Sequence, residues 1–162
     1  MTRFLPYLIY LLIIAGHETL TRDVTSIFGA SINLAGIMVI MVAVFQTEMS
    51  AIWFGFVAGL VVSTGQVQVM GWYTMSLGLL GMASYHVKES MNIESLYSRL
   101  AVLLCGLIAH NLFMSLVLNP AEFFHLVWSW AIPGGIYSSL VAWLILMIRD
   151  GSLSPRSFRS IF

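Results

Sequence analysis

Charge is what this sequence has least of. Asp, Glu, Lys and Arg make up 9% of its 162 residues, where a soluble domain carries about 25%. A chain this poor in charge cannot cover itself with polar surface in water. The seven basic and seven acidic residues cancel, and they form no basic stripe, which argues against a nucleic-acid partner. Cysteine is nearly absent as well. Cys105 stands alone, so neither an internal disulfide nor a thiolate metal cluster can form. Within the apolar run around it (Leu103, Leu104, Gly106, Leu107) it reads as a small packing residue. Repeats, low-complexity tracts and linkers are missing too, leaving one domain over residues 1–162.

Hydrophobic residues, by contrast, make up 59% of the chain, and the mean hydropathy is +0.92. The reading this predicts is an all-α integral membrane protein, because a bilayer lets apolar side chains face outward at no cost. Six apolar stretches are candidate spans: 4–16, 32–45, 51–64, 72–85, 100–118 and 131–148. Several fall short of the roughly 20 residues that a spanning helix needs. The first follows Arg3 and has the look of a signal peptide, but no small-residue cleavage site follows it. An uncleaved first helix is the expected reading.

Six spans sort the basic residues. Arg3, Lys88, Arg99, Arg149, Arg156 and Arg159 fall on one side, and Arg22 alone falls on the other. Short basic segments stay in the cytoplasm, so both termini are expected there. The tail from Asp150 to Phe162 either lies on the lipid surface or frays; both readings stay open. Glu122–Trp130, rich in aromatics, is expected to be an interfacial segment or the wet end of the sixth helix, with a partner contact as the alternative.

Small residues mark the packing faces. Ala51, Gly55, Gly59 and Ser63 recur every four residues and form one ridge of the third helix. Such ridges let helices approach closely in lipid. The ridge serves either a neighbouring helix of this chain or another protein, and the first reading is favoured. Gly134, Ser138 and Ala142 repeat the device in the sixth helix, with Gly135 and Ser139 beside them. Gly78, Gly81 and Ser84 offer it in the fourth.

His110 and Asn111 are the strongly polar residues deepest in an expected span. An ionisable group at such depth is a functional candidate by default. No Asp, Glu, Lys or Arg lies as deep, so a hydrogen-bonded structural role is expected. Glu48, in the turn before the third helix, is expected to cap that helix or touch a cytosolic protein. His17, His86, His110 and His125 are scattered without metal-ligand spacing, and no nucleotide-binding fingerprint appears. No enzyme, metal or cofactor is expected.

The run Gly55-Phe56-Val57-Ala58-Gly59-Leu60-Val61-Val62-Ser63, followed by Gly71 at the head of the next helix, resembles the central signature of the MreD family. Gly55, Gly59, Leu60 and Gly71 match it. Ser63 stands where the family usually has Asp, and Val69 where it usually has Pro. The resemblance implies a non-catalytic component of the rod-shape, or elongasome, machinery in the bacterial inner membrane. Its implied partners are an MreC-like protein, with MreB, RodA and a penicillin-binding protein. It also implies a fold similar to the substrate-binding subunits of energy-coupling-factor transporters. A vitamin-like ligand site is therefore the alternative, built from His110, Asn111, Gln66, Gln68 and Trp72.

Overall fold

The computed structural model describes residues 5–21, 31–91 and 95–149. Helix α1 (Leu5–Gly16) runs into a π turn, His17–Thr21. Helices α2 (Leu34–Phe45) and α3 (Glu48–Val62) follow. A 3-10 turn, Val67–Val69, leads into α4 (Met70–Ser90), and α5 is Leu96–Leu118. The last segment is a rod, Pro120–Arg149. It comprises a 3-10 turn, one α-helical turn α6 (Phe123–Leu126), a π turn (Val127–Ala131) and α7 (Ile132–Arg149). The described residues are all-helical, with no strand.

Capping side chains set several helix starts earlier than the apolar runs suggest. Thr47 accepts the Ser50 N–H and begins α3 at Glu48; Ser95 accepts the Ser98 N–H and begins α5 at Leu96. Such caps satisfy amide donors that the first turn leaves without partners. The cap of α3 is thus Thr47, while Glu48 sits 3.4 Å from His86. Glu122–Trp130 is continuous with the last helix rather than a separate segment, since the rod runs through it.

Helix α2 is the centre. Nine of its twelve residues are buried, and α1, α3, α4, α5 and α7 all pack on it. A helix apolar on every side must be enclosed in this way.

The closest approach is between α3 and α4. A Cβ added to Gly55 would lie 2.4 Å from the Leu77 carbonyl oxygen, and one on Gly59 would lie 2.4 Å from Thr74 Cα. From α4, a Cβ on Gly81 would lie 2.7 Å from the Ala51 carbonyl oxygen. These neighbours are backbone and cannot swing aside. The ridge Ala51–Gly55–Gly59–Ser63 is therefore buried against a helix of the same chain. Ser63 caps α3, its hydroxyl donating to the Gly59 carbonyl at 2.6 Å.

Two expectations about packing are corrected. Gly71 is exposed, and a Cβ there meets nothing within 4 Å. The glycine contacts between α3 and α4 run from Gly81 through Leu77 to Thr74, and Gly71, one turn before Thr74, stands outside that run. Cys105 is exposed as well. The buried face of α5 carries Leu103, Leu107, His110, Asn111 and Met114, and Cys105 falls on the opposite side with exposed Ala101 and Ala109.

Outward faces are apolar. Leu5, Leu8, Ile9, Leu12 and Ile13 line α1, Met49, Trp53, Val57 and Leu60 line α3, and Ile136, Leu140, Leu144 and Ile148 line α7. Apolar faces of this extent mark contact with a membrane or a protein partner. Among the described residues, two helical segments, Leu96–Leu118 and Pro120–Arg149, are long and apolar enough to cross a membrane.

The glycine contacts predict a sharp contrast. Gly59→Ala should cost about 1–3 kcal/mol through overpacking. Gly71→Ala should change stability by no more than about 0.5 kcal/mol. Thermal unfolding of the two variants beside the parent checks both; equal midpoints would refute the assigned α3–α4 seam.

Candidate functional site

Polar side chains gather where α2 begins. Asn33 caps α2, its side-chain oxygen accepting the Gly36 N–H at 2.8 Å. Its own backbone N–H donates to Ser138 Oγ on α7 at 2.9 Å, and its side-chain amide donates to Asn111 Oδ1 on α5 at 3.1 Å. Asn111 in turn donates to the Ala131 carbonyl, at the end of the π turn, at 3.3 Å. One asparagine pair thus ties α2, α5 and the last rod together. Gly134 makes room for it: a Cβ there would press on Asn111 Nδ2 at 3.4 Å and lie 3.6 Å from the Ser31 carbonyl. Gly134 and Ser138 therefore serve this knot, while neighbouring Gly135 packs against Ile108, 2.5 Å from a built Cβ.

His110 points elsewhere. It is 6% exposed, and its Nδ1 has no hydrogen-bond partner. It lines a cavity of about 40 Å³ together with Glu18, Ser31, Asn33, Tyr73, Asn111 and Trp130. That volume suits water, which needs a polar site with room for at least one probe sphere and two to four partners. An organic ligand ordinarily occupies about 300–1,000 Å³. Nor do the other expected ligand residues converge here. Gln66 and Gln68 line a separate depression over Gly65–Val69, and the Trp72 ring faces Phe113 with 6.5 Å between centroids.

The opposite end of α2 carries charge. Arg149 stacks over the Phe45 ring at 3.3 Å, and Arg99 lies 5.1 Å from the same ring. Lys88 Nζ donates to the Gln46 carbonyl at 3.2 Å. On α4, Tyr85 donates to Glu89 Oε1 at 2.9 Å. The basic residues of three helices therefore share one end of the molecule. Arg3, Arg22, Arg156 and Arg159 lie outside the described residues. Among the described residues, no three His, Cys, Asp or Glu side chains gather as a metal-binding group.

Sequence reasoning singled out Asn111, Gly134 and Ser138 but overlooked Asn33, which completes the knot. The signal was present: an asparagine directly before an apolar helical run is an N-cap signature. No family model, curated protein or solved structure matches the chain.

The two neighbours on α5 should respond differently. Asn111→Leu strands the Asn33 amide and the Ala131 carbonyl, and should cost about 1–3 kcal/mol. His110→Leu removes a buried Nδ1 without a protein partner and should cost less than Asn111→Leu, about 1 kcal/mol or below. Denaturation curves of both variants decide; a loss at His110 equal to that at Asn111 would contradict this division.

Proposed function

We propose that this chain is a non-catalytic, multi-pass inner-membrane protein of the MreD kind, which helps organise peptidoglycan synthesis through protein–protein contacts. The observation that carries the reading is the Gly55–Ser63 run, whose small residues form the closest helix–helix seam in the molecule. Six spans accommodate α1 to α5 and the last rod. The outward apolar faces of α1, α3 and α7 supply the lipid contact. Charge supports the orientation, since Lys88, Arg99 and Arg149 lie at the Phe45 end. Short basic segments favour the cytoplasm, so both termini are assigned there. Pro6 and Arg149 border one groove at that end, consistent with a shared side.

The seam also bears on where partners bind. Gly55 and Gly59 are occupied by α4, so they are not free to receive another protein. An MreC-like protein, and through it MreB, RodA and a penicillin-binding synthase, would meet the outward faces instead. Met49, Trp53, Val57 and Leu60, on the far side of α3, are the first candidates.

The vitamin-binding alternative draws on the buried His110 nitrogen beside its cavity. The small size of that cavity and the separation of Gln66, Gln68 and Trp72 weigh against it.

Two measurements test the proposal. Alkaline phosphatase fused after Gln66 should be active in cells, while the same reporter after Phe162 should be inactive. The tagged chain should co-purify with the MreC-like protein of its own cell, and Trp53→Glu should lower the yield of that complex several-fold. Rod-shaped cells that keep their shape without the gene, with no such complex recovered, would sink the elongasome assignment.

A further inference from the structure

A groove of about 500 Å³ opens between α1, α2 and α7. Tyr7, Tyr10, Met38 and Ile145 are among its walls, and it ends at Phe45, Gln46 and Arg149. Its contents must be narrow. A helix about 10–12 Å across could place only about one turn of itself in such a volume, whereas an extended hydrocarbon chain can lie along it.

The end of the groove is cationic. Arg149 lies flat on Phe45 at 3.3 Å, Arg99 approaches the same ring at 5.1 Å, and Lys88 reaches the Gln46 carbonyl at 3.2 Å. A stacked guanidinium uses its face on the ring and keeps its in-plane N–H donors for an anion. Lys88 and Arg149, brought from α4 and α7 to the Gln46 and Phe45 end of α2, are like charges, and an anion beside them offsets their repulsion. The described carboxylates closest in sequence to this end have other contacts: Glu48 lies against His86 at 3.4 Å, and Glu89 accepts the Tyr85 hydroxyl at 2.9 Å.

We propose that this groove seats an acyl chain of an anionic phospholipid, whose phosphate is held by Arg149 with Lys88 beside it. The inference rests on the membrane-embedded reading above, and not on the elongasome assignment. The lipid would fill the gap that α1 leaves toward α7 and fix the first helix to the last.

Native mass spectrometry of the full-length chain tests it. The chain is released from nanodiscs holding equal amounts of phosphatidylcholine and phosphatidylglycerol, and the retained lipids are counted. The parent should keep one phosphatidylglycerol in preference to phosphatidylcholine. Arg149→Gln, which removes the charge together with its stack on Phe45, should reduce that preference about fivefold, the share of one basic residue near an anionic surface. Ile145→Trp, which fills the groove, should reduce retention of both lipids. Equal retention of the two lipids by the parent, or an unchanged preference in Arg149→Gln, would overturn the site. So would retention seen only after residues 150–162 are deleted, which would assign the groove to the chain's own tail. A chain recovered from cells without detergent would refute the membrane reading itself, while a membrane-bound chain without headgroup preference would refute this site alone.

Discussion

The contact on which the structure turns is backbone against backbone, where α3 meets α4. Gly55, Gly59 and Gly81 have no side chain, and each faces main-chain atoms of the other helix. On the membrane reading proposed above, there is little hydrophobic gain from pressing two helices together, and van der Waals contact at short range supplies the attraction. A methyl group at any of the three would push the helices apart and forfeit contacts along the whole seam. Apolar helices as short as α2 and α3, with 12 and 15 residues, have few other means of holding a fixed neighbour.

Helix α2 raises a related difficulty. Its buried face is made of Val, Ile, Ala, Met and Gly, which fit many axial positions about equally well. Its two ends remove the ambiguity. At the start, Asn33 bonds to Asn111 and Ser138. At the finish, Phe45 lies under Arg149, and the Gln46 carbonyl accepts from Lys88. Hydrogen bonds and cation–π contacts are directional, so they fix register where dispersion cannot. The polar contacts of α2 therefore stand at its two ends, and the stretch between them carries no charged residue.

Some of this was legible in the sequence. The four-residue spacing of Ala51, Gly55, Gly59 and Ser63 declared a close-packing ridge, and intrachain packing was its favoured reading. Gly134 and Ser138 were placed among packing residues, and His110 and Asn111 were together assigned a hydrogen-bonded role; Asn111 makes such bonds, whereas His110 Nδ1 is buried without a partner. Gly71 misled because it shares a motif with Gly55 and Gly59 but stands at the exposed start of α4, one turn before the Thr74 contact. Cys105 misled because a continuous apolar run has no periodicity to tell an inward from an outward position. Asn33 went unnoticed because its partners, Asn111 and Ser138, lie 78 and 105 residues away along the chain.

Composition and spacing by themselves determined that this chain is helical, apolar on the outside and built around small-residue ridges. Those properties follow from local periodicity and from the scarcity of charge, which any segment carries with it. Only the tertiary structure decided which ridge meets which helix, that His110 lines a small cavity while Asn111 beside it is bonded, and that two arginines share one phenylalanine ring. Each of these depends on where two distant segments come to lie, and an apolar side chain shows no preference among apolar neighbours until the packing is complete.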